Sequence, residues 1–406
     1  MDGRDGARPA YGRSGTRRAP SELVFFGHRP WSDIEAFGFR KTSGAMFRCL
    51  RESGRFGVLR YVQMDRRWGA RVTLHRVDAG CDVIGLPVGL PYGRIPAVRR
   101  LNRTLQAALL RRTLARMSPA VPEAVWFYDW APIEIVERLG RRLTVMEITD
   151  SPELVYAALP SALAGFAGFR EKVMEQADLI LAVAPCLAGG LAGRRARVAV
   201  LPNGIGAEFL AAAVTAWPEP EVLARLPRPR LCVVVGEWSA NHRLDHDLLG
   251  AALDELPGWT LVLVGVGAVQ TAGLEQLLSR DRVAVVPPVP QASLVPIIQH
   301  CEVCAVPYAP SGGFGDALKT YEYLACGRPV VVNLDDVEPS LERFVVRART
   351  AKEFAARCVE LAARGGLDLD EVHAALAGFT WERRAARALA LLDDVRNERR
   401  RTAGGG

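Results

Sequence analysis

Residues 311–329 read SGGFGDALKTYEYLACGRP and lie between apolar runs at 303–306 and 329–332. A strand, a glycine-rich turn, a helix and a second strand form one unit of a parallel sheet, because parallel neighbours need a crossover and a helix supplies it. Asp316 stands at the predicted N-cap, and Gly327 followed by Pro329 ends the helix. The helical face carries Lys319, Glu322 and Tyr323. Glycines leading into a helix N-terminus make an anion site, since the backbone N–H groups there are unpaired and the helix dipole is positive at that end. Lys319 is one of only four lysines among 52 basic residues, so composition alone does not account for it. The same spacing also describes a solvated helix with a Lys319–Glu322 pair at i,i+3, worth ~0.2–0.5 kcal/mol.

The alternation extends in both directions. Apolar runs at 231–235, 260–264 and 283–286 are separated by helical stretches at 244–256 and 274–279, with another helix at 293–300. Upstream, strands are predicted at 23–27, 58–63, 72–75, 82–86, 125–129, 143–148, 178–183 and 198–201, with a basic amphipathic helix at 101–117. Strands that are nearly continuous apolar runs indicate parallel sheets covered on both faces, which is a doubly wound α/β arrangement. Proline-rich residues 206–229 read as a linker. The expected organisation is a leader over 1–20, a first Rossmann-like domain over 21–205, that linker, a second Rossmann-like domain over 230–380, and a helix over 381–400 crossing back to the first domain. Two such domains bring the C-terminal ends of both sheets to one cleft. Gly236 ends a strand pointing there, and so does Val264-Gly-Val-Gly267; the latter lacks the following GxxG of a dinucleotide fingerprint.

Composition narrows the function classes. The chain has 406 residues and is 49% hydrophobic, with no apolar run near the ~18–20 residues that a membrane span needs. Residues 1–20 have no signal-peptide core, which predicts a cytoplasmic protein. Cys301-Glu-Val-Cys304 is the one CxxC among eight cysteines, and it falls in a predicted strand with no second pair, so no metal or redox role is assigned. His242 and His246 have helical metal-ligand spacing but lack the HExxH glutamate. Residues 1–205 carry 31 Lys+Arg against 19 Asp+Glu, and the remainder 21 against 26. A basic first half suggests an anionic partner, either an acidic lipid surface or a pyrophosphate-linked acceptor; no nucleic-acid-reading module is present. The competing explanation is solvated arginine.

With these elements in order, the chain resembles the GT-B-fold, nucleotide-sugar-dependent glycosyltransferases of the bacterial cell-surface polysaccharide type, close to teichuronic-acid and exopolysaccharide glycosyltransferases. The resemblance is firmest over 236–332, where Asp316-Ala-Leu-Lys-Thr-Tyr-Glu-Tyr-Leu-Ala-Cys-Gly-Arg-Pro-Val-Val331 matches the family's run. Glu175-Gln-Ala-Asp178, Leu201-Pro-Asn-Gly-Ile205 and Leu244-Asp245 support it. It implies a UDP- or GDP-linked sugar as co-substrate on the second domain, with no further cofactor. Glu322 would accept hydrogen bonds from the ribose, and Lys319 would face the diphosphate or an acidic group of the donor sugar. Backbone N–H groups around Gly312 and Gly313 would hold the phosphates. Gly236 and Tyr323 join this donor set. The chain departs from the pattern at Phe314, where many relatives carry a glutamate, and at Glu237, where many carry the first of an Arg…Lys pair; Arg243 could supply the missing cation.

The predicted activity is transfer of a hexosyl or uronosyl unit to a saccharide acceptor, lipid-linked in cell-envelope or exopolysaccharide synthesis, at the cytoplasmic face of a membrane. An inverting transfer needs a general base, and Asp150 and His28, both at strand ends of the first domain, are the candidates. Asp150 before Ser-Pro also reads as a plain N-cap, and His28 beside Trp31 as a packed loop residue. The alternative function is a catalytically silent GT-B-like protein that binds a nucleotide sugar or a partner enzyme.

Overall fold

The computed structural model describes residues 21–27, 29–37, 42–65, 68–91, 95–118, 121–128, 133–140, 142–150, 169–189, 191, 196–309 and 316–404. The predicted leader, His28, Gly312, Gly313 and Phe314 lie outside them.

Two sheets account for the strands. The first contains β1 (Glu22–Phe26), β2 (Val58–Met64), β3 (Thr73–Asp78), β4 (Cys81–Leu86), β5 (Ala124–Tyr128), β6 (Leu143–Ile148), β7 (Leu179–Ala182) and β8 (Arg197–Val200), in the order β3-β4-β2-β1-β5-β6-β7-β8. The second contains β9 (Arg230–Val234), β10 (Thr260–Val264), β11 (Val283–Val286), β12 (Val303–Val306), β13 (Val330–Val332) and β14 (Val345–Arg347), in the order β11-β10-β9-β12-β13-β14. All pairings are parallel except β3 on β4. β3 departs from the expected parallel strand because it follows β2 through a short connection and returns to β4 as a hairpin. It reads TLHRVD and exposes Leu74, His75 and Arg76, the charged profile of a sheet edge. Central strands such as TLVLV of β10 are buried along their whole length, as strands covered on both faces must be.

Each sheet carries a core on both faces. On the first, Phe25, Phe47, Tyr61 and Trp126 fill one side, and Phe127, Ile133 and Leu110 the other. On the second, Cys232, Cys304, Tyr321 and Tyr323 fill one side, and Leu249, Trp259 and Phe354 the other. Residues 207–229 are more than a linker. They form the helices Ala207–Ala213 and Glu221–Ala224, whose Phe209, Ala213 and Leu223 are part of the second core. A helix absent from the sequence reading, Leu369–Leu376, is capped by Asp368, which accepts from Asp370 N and Glu371 N.

The last helix, Trp381–Gly404, returns to the first domain as expected: Trp381, Ala385, Ala388, Leu392 and Val395 belong to its core. A buried ion pair fixes that return. Arg384 Nη2 lies 2.7 Å from Glu147 Oε2, and the other carboxylate oxygen accepts from Trp126 Nε1 at 2.8 Å. Arg384 Nε also donates to Pro202 O at 2.8 Å. Glu147 thus points into the first domain, although it begins the acidic stretch that ends at Asp150.

Both sheets reverse strand order beside their first strand, at β1/β5 and at β9/β12. Such reversals leave a crevice at the C-terminal strand ends, where open α/β sheets bind ligands. The two crevices face each other: Asp150, two residues beyond β6, meets Arg243, which lies in the connection after β9. Among the described residues, no helix is long and apolar enough to cross a membrane.

Candidate functional site

The site is built where β9 and β12 diverge. The connection after β9 forms the short helix Glu237–His242, then passes residues 243–245 alongside 307–309. Ala309 N donates to Arg243 O at 2.8 Å, Asp245 N to Pro307 O at 3.0 Å, and Leu244 bridges Tyr308 in antiparallel fashion. Asn333, just past β13, clamps Tyr308: Tyr308 N donates to Asn333 Oδ1 at 2.8 Å and Asn333 Nδ2 to Tyr308 O at 2.6 Å. The two loops therefore form one stitched wall. Beside this wall, Gly265 lets the connection after β10 pack against the end of β9. Its φ is +91°, and a Cβ there would come within 2.1 Å of Val235 O. This packing explains that glycine without a dinucleotide. At Gly236 a Cβ would meet nothing within 4 Å, so this strand end borders open space.

The predicted helix is present as Leu318–Ala325, and the chain turns away through Gly327 at φ +68°. Its N-cap is Ala317, and Asp316 is used differently from the expectation. The Asp316 carboxylate accepts from Asn203 N and from Tyr321 Oη, both at 2.7 Å, while Asn203 Nδ2 donates to Asp316 O at 2.8 Å. Asn203 belongs to the turn that ends the first domain, so Asp316 pins the start of this helix to the domain junction. Burial pushes its carboxyl up to about 7, against the lowering effect of the two hydrogen bonds.

Lys319 and Glu322 do not pair with each other. Lys319 Nζ donates to Tyr308 Oη at 2.8 Å and sits 5.3 Å from the centre of that ring. Glu322 is only 6% exposed and accepts from Gln291 Nε2 at 2.8 Å. Lys319 thus faces the loop after β12, and Glu322 the connection after β11 that carries Gln291. Tyr323, the neighbour of Glu322, is fully buried, and its hydroxyl accepts from Val234 N at 2.6 Å. It supports the end of β9 from inside the core.

Across the crevice, Arg243 Nη2 lies 2.8 Å from Asp150 Oδ2. The structure therefore links Lys319, through Tyr308, to the loop that carries Arg243, and sets Asp150 opposite; Glu322 stands one turn along the same helix as Lys319, and Gly236 precedes the short helix that leads to Arg243. His28, Gly312 and Gly313 fall outside the described residues. His246 is tied locally, with Nε2 2.6 Å from Ala240 O, and no group of three or more His, Cys, Asp or Glu among the described residues is arranged to hold a metal ion. Cys301 and Cys304 are both buried, and Cys301 Sγ donates to Ile297 O at 3.3 Å. Tyr308, Gln291, Asn333 and Asn203 were not identified from the sequence. Their roles depend on partners far along the chain, and only the Pro202-Asn203-Gly204 turn carried a local signal.

Solved structures share this arrangement over nearly the full chain. A sucrose-phosphate synthase from Thermosynechococcus elongatus superposes with a TM-score of 0.68 at 16% identity, covering 93% of this chain and 100% of its own. The fold is GT-B. An E. coli trehalose-6-phosphate structure bound with UDP-2-fluoro glucose gives 0.65 at 13% identity, covering 92% of this chain and 99% of its own. The lipopolysaccharide outer core galactosyltransferase WaaB, in its apo form, gives 0.57 at 12% identity over 90% and 97%. By sequence, residues 229–364 match the model of the family described as glycosyl transferases group 1. That segment of the GT-B fold holds β9 to β14 and every candidate donor residue named above. No curated protein matches the chain by sequence.

Proposed function

We propose that this protein is a glycosyltransferase that moves a sugar from a UDP- or GDP-linked donor, held by the second domain, to a saccharide acceptor held by the first. The observation that carries the reading is the pairing of Lys319 and Glu322 on one helix at the β9/β12 crevice, inside the segment that matches the group 1 glycosyltransferase model. A carboxylate with two acceptor oxygens suits vicinal ribose hydroxyls. A lysine and a helix N-terminus suit a nucleoside diphosphate that gains charge as the glycosidic bond breaks. Two of the groups on these side chains, the Tyr308 hydroxyl on Lys319 and the Gln291 amide on Glu322, are neutral and would yield to a charged or hydroxylated ligand. The trehalose-6-phosphate structure bound with UDP-2-fluoro glucose supports a nucleotide sugar as the donor class. Thermal-shift measurements with UDP-, GDP- and dTDP-sugars test the assignment. At least one should stabilise the wild type, and Lys319→Ala and Glu322→Ala should each weaken binding by about tenfold or more, about 1.4 kcal/mol. Normal donor binding by both variants would remove the assignment.

The acceptor in this reading is lipid-linked, for cell-envelope or exopolysaccharide synthesis, and the first domain rests on the cytoplasmic face of a membrane. Residues 64–117 carry eleven arginines against three aspartates. Arg71, Arg100, Arg111, Arg112 and Arg116 are exposed and make no ion pair among the described residues. Trp68, Leu90, Ile95 and Leu101 are exposed on the same stretch. Trp68 bridges Gly89, and Leu90 is held by Asn102 through hydrogen bonds of 2.8 and 2.9 Å, so these apolar side chains lie close together. Exposed aromatic and aliphatic groups beside unneutralised arginines match an anionic lipid interface. Flotation with vesicles of phosphatidylglycerol should carry the protein upward, whereas phosphatidylcholine alone should not. Protein that stays at the bottom of both gradients refutes the membrane part.

A further inference from the structure

Arg243 and Asp150 are contributed by different domains, and each is set by its own. Arg243 stands in the loop stitched to residues 307–309, whose chain continues toward the helix Leu318–Ala325. Asp150 follows β6, next to the β1/β5 crevice of the first domain. Their ion pair, 2.8 Å between Nη2 and Oδ2, joins two side chains that are 16% and 34% exposed. Asp150 keeps access to water, so the pair is not sealed from a competing ligand. A diphosphate offers the same guanidinium a more highly charged, bidentate partner. The loop that carries Arg243 borders the proposed donor site, through the backbone of Ala309 and the side chain of Tyr308 that receives Lys319.

We propose that Arg243 is exchanged between the two partners. Without a donor it holds the Asp150 carboxylate. When a nucleoside diphosphate sugar binds, the guanidinium turns to the diphosphate, and Asp150 is released to accept a hydrogen bond from an acceptor hydroxyl. Arg243 is thus a positioning residue that couples the two half-sites: the donor binds first, and the acceptor carboxylate becomes free only in the loaded enzyme. The inference rests on the donor assignment above. It also makes an otherwise odd statement, that removing a negative charge from the first domain tightens binding on the second.

Titration calorimetry with UDP, GDP and dTDP tests it in the full chain, using wild type, Asp150→Asn, Arg243→Gln and the double variant. For the nucleotide that wild type binds, Asp150→Asn should tighten affinity about three- to fivefold, the range open to a partly exposed ion pair. Arg243→Gln should weaken it about tenfold. The double variant should bind like Arg243→Gln alone, because the gain from Asp150→Asn requires the arginine. Unfolding midpoints of the variants check that each is folded. Unchanged or weaker binding by Asp150→Asn would overturn the exchange. An equal gain in the Arg243→Gln background would also overturn it, by reducing the effect to bare charge repulsion. Wild type that binds none of the three nucleotides removes the donor assignment and the exchange together, whereas a wild type that binds one with no gain in Asp150→Asn removes only the exchange.

Discussion

Replacing Asp316 by asparagine removes a titrating group from the place where the donor helix meets the domain junction. In the folded protein burial raises its carboxyl from 3.8 to about 7. Between those two pH values the folded state holds a proton that the unfolded chain has released, so stability falls as pH rises from about 4 to about 7 and is level above that. Some three pH units at ~1.36 kcal/mol each bound the loss at about 4 kcal/mol. Asparagine cannot ionise, yet its amide oxygen can still accept from Asn203 N and Tyr321 Oη, the two donors on the wild-type carboxylate. Whatever constant offset the substitution brings, the variant should lack this slope. The assay is the unfolding midpoint of both proteins at pH 5, 6, 7 and 8. Asp316→Asn should gain on wild type steadily up to pH 7 and then run parallel to it. A difference that stays constant from pH 5 to pH 8 would show that the carboxyl titrates as it does in the unfolded chain, and the buried-carboxyl argument would fall.

Two further substitutions probe the frame of the site. Breaking the buried pair with Arg384→Met leaves the buried Glu147 without its cation, with the Trp126 indole still donating to it, and should cost about 3–5 kcal/mol in urea unfolding; the double variant with Glu147→Leu should recover part of it, and a single variant as stable as wild type would contradict the burial. Gly265→Ala must place a Cβ 2.1 Å from Val235 O at a φ of +91°. It should lower stability by at least about 1–3 kcal/mol and weaken nucleotide binding by displacing the wall that carries Arg243; an unchanged melting curve would refute the close approach.

The second sheet was legible because its strands are buried on both faces. Continuous apolar runs such as those of β10 and β12 leave little choice of boundary, and the structure places both where the sequence does. The hairpin edge was legible in its connection, since only Ala79 and Gly80 separate β3 from β4 and so short a link cannot make a parallel crossover. Residues 207–229 were misread. Four prolines within a few turns signal a linker, but Phe209, Ala213 and Leu223 gain burial only from a core assembled much later in the chain. Lys319 and Glu322 were singled out by the family run they lie in, since type and spacing alone describe a solvated i,i+3 pair equally well. Tyr323 could not be separated from them by composition, although successive helical residues point about 100° apart and send it into the core. The Asp316–Asn203 contact spans 113 residues of sequence, and that separation is why a plain N-cap was the natural local reading.

The chain crosses between its domains twice, and the two crossings touch. Ile205 and Thr380 form a parallel bridge, with Ile205 N donating to Phe379 O at 2.7 Å and Trp381 N to Ile205 O at 3.2 Å. A single strand of backbone would act as a swivel; two hydrogen-bonded strands side by side act as a flat ribbon, which bends across its width far more easily than it twists or shears. Any movement of one domain against the other has to bend this two-ply junction, which resists twisting more than a single crossing would. The final helix matters to this even though it is remote from the substrates. A chain cut before Thr380 would lose the second ply of this junction together with the apolar face and the Arg384–Glu147 pair that the helix supplies to the first domain.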